Sequence, residues 1–107
     1  MESLTALADP TRRRIIEMLG RGEQAAGEIA EHFAVSGPAI SQHLKVLREA
    51  KLVAVRIDGQ RRIYSLDPAG FDEIDDWLAN VRRFWKGRLD ALEHALRETP
   101  SKPRRRS

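Results

Sequence analysis

The feature that most constrains this fold is a change of hydrophobic period at Leu52. Before it, Ile40, Leu44 and Leu47 recur at helical spacing; after it, Val53, Val55 and Ile57 alternate with Ala54, Arg56 and Asp58. No single regular element keeps an apolar face across such a switch, so a helix must end and a strand begin there. Asp58-Gly59-Gln60-Arg61 supplies a hairpin turn. With Gly59-Gln60 at the tip, Val55 faces Tyr64, Val53 faces Leu66 and Asp58 faces Arg61. A loop centred one residue earlier sets Val55 against Arg62, so the first register is preferred. It leaves Arg56 on the outer, polar face.

The helix before the switch starts at Ser36, a cap residue. Pro38, Ser41, Gln42 and His43 fill its first turns, while Ile40, Leu44 and Leu47 take the buried face. Upstream, Asp9-Pro10-Thr11 marks another helix start, with Asp9 as cap and Pro10 at the first helical position. Ile15, Ile16 and Leu19 follow at helical spacing, and Gly20 and Gly22 end the run. A short amphipathic stretch, Leu4 to Leu7, precedes it. A further helix is expected from about Ala25 to His32, burying Ile29, Ala30 and Phe33, with Ala34-Val35 as a tight connection to Ser36. Two short helices so joined form a helix-turn-helix, the first bracing the second.

After the hairpin, Asp67-Pro68 restarts a helix expected to reach about Arg97. At ~1.5 Å per residue it is roughly 45 Å long, too long to bury one face on so small a body. Ile74, Leu78, Val81, Trp85, Leu89, Leu92 and Leu96 alternate in steps of three and four, with Trp77 and Phe84 broadening the stripe. An intramolecular core explains the first half but leaves Leu89 to Leu96 uncovered. A second copy in a two-fold dimer covers it most simply. The candidate interface is Leu4, Leu78, Val81, Trp85, Leu89, Leu92 and Leu96. An unknown small-molecule inducer held near Trp77, Phe84 and Trp85 is a further option, against a plain core role for these aromatics.

The 107 residues make one small domain, 1–98, followed by a basic tail, 99–107, expected to be disordered. Charge is segregated: residues 36–65 carry six basic and two acidic side chains, whereas the flanking stretches 1–35 and 66–98 are both net acidic. A basic centre suits a polyanion, because phosphates neutralised by protein release counterions; a solvated surface is the alternative. The absence of cysteine excludes disulfides, thiolate metal sites and cysteine nucleophiles. No apolar run approaches the ~20 residues of a membrane span, and no signal-peptide pattern follows Met1. A soluble, cytoplasmic chain is expected. No serine–histidine–acid constellation or phosphate-cradling glycine loop argues for an enzyme, and no cofactor is expected.

The order helix, helix, helix-turn-helix, hairpin, long helix is a mainly α winged helix-turn-helix with a two-stranded β-hairpin and a long C-terminal dimerisation helix. Leu7-Ala8-Asp9-Pro10-Thr11-Arg12, Ser36-Gly37-Pro38-Ala39-Ile40-Ser41-Gln42-His43-Leu44, Val46-Leu47, Leu52-Val53 and Gly59-Gln60-Arg61-Arg62-Ile63-Tyr64 together resemble the ArsR-type bacterial repressors, over roughly residues 4–97. The resemblance implies a dimeric repressor that blocks a promoter. Many ArsR-type proteins sense metals, and here the sequence departs from the family. Ala25 and Gly27 stand where thiolate-site members carry Cys-x-Cys. Of the carboxylates and histidines used on the final helix, only Asp90, Glu93 and His94 are available, and an Asp90–His94 surface pair is expected rather than a metal site. Lys51 replaces the glycine that usually ends the recognition helix; a left-handed backbone there costs lysine about 1 kcal/mol.

The major groove displays a distinct donor and acceptor pattern for each base pair, and the first turns of a recognition helix reach it. Gly37, Pro38, Ser41, Gln42 and Lys45 turn outward from the anchored face. Gln42 suits adenine, Ser41 a base or phosphate, and Lys45 phosphate or guanine. Ser36 is a cap first and a phosphate contact second; His43 lies between the faces, for packing or phosphate. At the wing, Arg56, Gln60, Arg61 and Arg62 are placed to enter the minor groove or grip phosphates. Arg12, Arg13 and Arg14 are weaker candidates, expected to make surface ion pairs. The expected partner is double-stranded DNA carrying an imperfect palindromic operator, with no membrane partner. The competing reading is a winged-helix protein–protein adaptor whose basic hairpin meets an acidic partner.

Overall fold

The computed structural model describes residues 1–98; the basic tail, 99–107, lies outside the described residues. Element order is α1 (Glu2–Ala6), α2 (Pro10–Leu19), β1 (Gln24–Ala25), α3 (Ala26–Glu31), α4 (Gly37–Glu49), β2 (Val53–Asp58), β3 (Arg61–Leu66) and α5 (Pro68–Glu98). Two compact units result, 1–74 and the remainder of α5 from Asp75 onward. Among the described residues no helix is long and apolar enough to cross a membrane.

In the first unit, Asp9 caps α2 by accepting the Arg12 backbone N–H at 3.1 Å, with Pro10 in the first turn. Ser36 does the same for α4, accepting from the Ala39 N–H at 3.2 Å. Ile15, Leu19, Ile29, Ile40, Leu44, Leu47, Leu52, Val53 and Tyr64 close one core. Ser3, fully buried on α1, donates its hydroxyl to Glu73 Oε1 at 2.8 Å, so its burial leaves no polar atom unpaired.

The hairpin adopts the expected register, Val53 with Leu66, Val55 with Tyr64 and Asp58 with Arg61. Gly59 at φ 66° supplies the tip, the arrangement of a II′ turn with glycine first. The sheet departs from the expected two strands. Gln24 and Ala25 pair antiparallel with Tyr64 and Ile63, giving a three-stranded sheet in the order β1-β3-β2. Two residues are too few to show an alternation, and their pairing depends on where β3 lies. Helix α3 accordingly starts one residue later than expected.

The end of α4 is a Schellman turn. Leu52 N–H donates to Leu47 C=O and Lys51 N–H to Arg48 C=O, both at 3.0 Å, and Lys51 takes φ 62°. The left-handed conformation expected at this glycine replacement is therefore present. Against this turn sits the first turn of α5: Gly70 N–H donates to Lys51 C=O at 2.7 Å and Asp67 N–H to Leu52 C=O at 2.9 Å. Gly70 allows that approach, because a Cβ there would lie 2.6 Å from the Lys51 carbonyl oxygen.

In the second unit, Trp77, Phe84, Trp85, Leu89, Leu92 and Leu96 are exposed, the last five at 54–70%; Leu78 and Val81 are half-buried. Arg88 lies over the Phe84 ring at 6.0 Å.

Candidate nucleic-acid interface

Helix α4 separates its roles by face. Ile40, Leu44 and Leu47 are at most 2% exposed, whereas Ser36, Gly37, Pro38, Ser41, Gln42 and Lys45 are exposed. The side chains of Ser41, Gln42 and Lys45 make no hydrogen bond or ion pair among the described residues, so their donors and acceptors face solvent. A Cβ at Gly37 would meet nothing within 4 Å, so the fold makes no demand for glycine there. The close approach it permits is toward the outside.

His43 is half-buried and belongs to the bracing apparatus. Its Nδ1 lies 3.2 Å from Arg12 Nη1 and 4.0 Å from Asp9 Oδ2. Because guanidinium only donates, Nδ1 is the acceptor in the neutral ring. Arg12 also donates its Nε–H to Ala6 C=O, linking α1, α2 and α4. Asp9 keeps its carboxyl below the ordinary range, chiefly through the Arg12 N–H bond, with a smaller contribution from His43.

The three arginines opening α2 depart from the expected ion pairs. Arg13 Nη1 donates to Leu7 and Ala8 carbonyls at 2.8 and 3.2 Å. Arg14 stacks over Phe33 with its Cζ 4.8 Å from the ring centre. The end of α1 and the two residues after it leave carbonyls open, and the guanidinium groups satisfy them, Arg12 at Ala6 and Arg13 at Leu7 and Ala8.

The wing arginines divide into two kinds. Arg56 donates to Glu23 Oε1 at 2.7 Å, which raises its already high pKa. Arg61 lies 3.5 Å from Glu28 Oε1. That same Glu28 oxygen accepts the Ala25 N–H at 2.8 Å and so caps α3, where Ala25 has no acceptor of its own. Arg62 has no ion-pair or hydrogen-bond partner among the described residues, and Gln60 is exposed at the tip.

On α5, Arg97 pairs with Glu93 at 3.0 Å and His94 with Glu98 at 2.9 Å. The expected Asp90–His94 pair is thus replaced by the next carboxylate one turn on. Leu4, placed with the α5 stripe as an interface position, is half-buried on α1.

A bracing helix, an outward-facing polar helix and a basic hairpin make this a winged helix-turn-helix protein. Comparison with known proteins agrees: a helix-turn-helix domain model matches residues 7–56. The HTH-type transcriptional regulator Rv2034 of Mycobacterium tuberculosis is 51% identical over 80 residues, 75% of this chain and 72% of that protein. The transcriptional repressor SdpR of Bacillus subtilis is 41% identical over 75 residues, 70% of this chain and 83% of that protein. Among solved structures, an ArsR-like transcriptional regulator from Rhodococcus sp. RHA1 is 31% identical at a TM-score of 0.74, covering 88% of this chain and 89% of that one. The homodimeric winged helix-turn-helix DNA-binding domain of a possible ArsR-family regulator from Mycobacterium bovis is 26% identical at a TM-score of 0.60, covering 84% and 81%. The chain belongs to the ArsR-type family of transcriptional regulators.

Proposed function

We propose that this protein is a cytoplasmic, homodimeric repressor that works without a metal ion and occupies promoter DNA. The observation that carries the reading is the outward face of α4: Pro38, Ser41, Gln42 and Lys45 are exposed on a helix whose other face is anchored at Ile40, Leu44 and Leu47. Such a helix reads base edges in the major groove, with Gln42 on adenine and Ser41 and Lys45 on bases or phosphates. Gly37 and Pro38 pass close to the DNA backbone, Ser36 holds a phosphate from the rim while His43 braces the helix from behind, and Arg56, Gln60, Arg61 and Arg62 bring the wing to the neighbouring groove.

Two copies joined along α5 through Leu78, Val81, Trp85, Leu89, Leu92 and Leu96, with Leu4 contributing from α1, present two reading helices. The operator is then an imperfect palindrome with half-sites about one helical turn apart. The homodimeric M. bovis neighbour supports this assembly. Ala25 and Gly27 at the positions of the family's thiolate ligands support metal independence. Any inducer is a small molecule rather than a metal. Mobility shift on the DNA upstream of its own gene tests the reading. Gln42→Ala is expected to weaken that complex and relax sequence preference by about 1–3 kcal/mol at the base pair read. Equal affinity of the unaltered protein for that DNA and for random duplex would refute it.

A further inference from the structure

Between α4 and β3 runs a groove of about 250 Å³, lined by Ala26, Ser41, Leu44, Lys45, Arg48, Arg62 and Tyr64. Ser41, Lys45 and Arg48 fall at i, i+4 and i+7, one stripe of α4. Arg62 and Tyr64, two apart on β3, share the opposing face. Three cations thus converge on one small concavity, and none has an ion-pair or hydrogen-bond partner among the described residues. Even Glu49, one helical turn from Lys45, makes no ion pair with it.

Two further observations make this more than a basic surface. Tyr64 is 6% exposed and lines the groove, yet its hydroxyl has no hydrogen-bond partner among the described residues. No fully buried side-chain oxygen or nitrogen goes unpaired among those residues, so the hydroxyl retains access to the outside. The other wing arginines already have carboxylate partners, Arg56 in Glu23 at 2.7 Å and Arg61 in Glu28 at 3.5 Å. Like charges held around one groove repel one another, and an anion between them removes that cost.

We propose that this groove is a phosphate-binding pocket in which Lys45, Arg48 and Arg62 supply charge and Ser41 and Tyr64 supply hydroxyl donors. The inference rests on the DNA-binding reading above and sharpens it: the pocket grips one backbone phosphate per protomer and so sets the register of the reading face. Arg48, one turn beyond the base-reading positions, acts here as a phosphate ligand. The wing-tip arginines Arg56 and Arg61 contribute less than Arg62, because binding DNA requires them to leave carboxylates first.

The test has a free-anion arm and a DNA arm, both on the full chain. Inorganic phosphate is titrated at fixed ionic strength against chloride, followed by amide NMR. Saturable shifts centred on Ser41, Lys45, Arg48, Arg62 and Tyr64, lost in Arg62→Ala and in Arg48→Gln, are expected. A response identical in chloride, or unchanged in both variants, overturns the pocket. Arg62 is exposed, so Arg62→Ala is expected to keep the fold, which its unfolding temperature checks. With duplex DNA, Arg62→Ala lowers the slope of log K against log salt by about 1 per protomer, and Arg61→Ala lowers it less; the reverse order overturns the assignment. If Gln42→Ala relaxes sequence preference while Arg62→Ala leaves the salt slope intact, the reading helix stands and the pocket falls. If phosphate binds saturably but no DNA is preferred, the pocket stands and the repressor reading falls.

Discussion

Gly70→Ala places a methyl group where the end of α4 meets the start of α5. Its Cβ would lie 2.6 Å from the Lys51 carbonyl oxygen, 2.8 Å from the Ala50 carbonyl oxygen and 2.8 Å from Leu52 Cδ2. Two of these neighbours are backbone and cannot rotate away. Restoring ordinary contact requires the first turn of α5 to retreat by roughly 0.8 Å. The 2.7 Å bond from Gly70 N–H to Lys51 C=O then reaches the limit of a hydrogen bond. Overpacking of this kind costs about 1–3 kcal/mol, and the weakened bond about 1 kcal/mol more. Alanine's helix preference over glycine returns about 1 kcal/mol. The net is a destabilisation of about 1–3 kcal/mol, which lowers the melting temperature by about 5–15 °C for a domain of this size. Circular dichroism melts at one fixed protomer concentration measure it, since a dimer's stability varies with concentration. Helix propensity alone predicts the opposite sign. A Gly70→Ala protein that melts at or above the unaltered one would refute the close-approach argument.

Lys51→Gly relieves the left-handed residue at φ 62° on the other side of the same contact. It is expected to raise stability by up to about 1 kcal/mol in urea titration, less what the lysine charge contributes at the helix C-terminus. Asp9 carries a carboxyl depressed below 3.8, so it contributes stability above that value and loses it as pH falls through the depressed pKa. Asp9→Asn keeps a capping oxygen without the titration, and melting curves from pH 7 to pH 2 are expected to converge with those of the unaltered protein at the acid end; a constant difference throughout would contradict the assignment. Leu89→Glu removes an apolar group that is 54% exposed on α5 and that the proposed dimer buries. Losing half a leucine burial in each of two copies costs roughly 2–3 kcal/mol of association. Sedimentation velocity should find the dimer weakened at least about 30-fold; an unchanged dimer would place the interface elsewhere.

What was legible in the sequence was whatever local chemistry decides. The hairpin register followed from apolar pairing of Val53, Val55, Tyr64 and Leu66, because a one-residue slip reverses every side chain. The bounds of α4 followed from Ser36 and from the period change after it. Contacts between distant residues were not legible. Strand β1 exists only because β3 offers an edge to Gln24 and Ala25. Arg56 finds Glu23 across 33 residues of sequence. The destinations of Arg12 and Arg13 depend on open carbonyls at the end of α1 and just after it, which no helical pattern reveals. For the interface, outward residues on α4 were readable from periodicity. The division of the wing into paired Arg56 and Arg61 and unpaired Arg62 was not, because charge patterning does not say which carboxylates fold nearby.

The anchoring of α4 explains how one helix can serve both stability and the proposed recognition. Near its start, His43 meets Arg12, itself fixed to Ala6; at its end, the Schellman turn is clasped by Gly70 and Asp67. Between them, Ile40, Leu44 and Leu47 supply the apolar hold. Each tie lies on the inner face or at a terminus, and none uses Ser41, Gln42 or Lys45. Exposed positions free of such ties tolerate substitution within about 0.5 kcal/mol, whereas Leu47→Ala is expected to cost about 2–5 kcal/mol. The outward residues are therefore free to change what is read without unfolding the reader. A loss of DNA binding in a Gln42 variant with an unchanged melting temperature is for that reason a loss of recognition, not of structure.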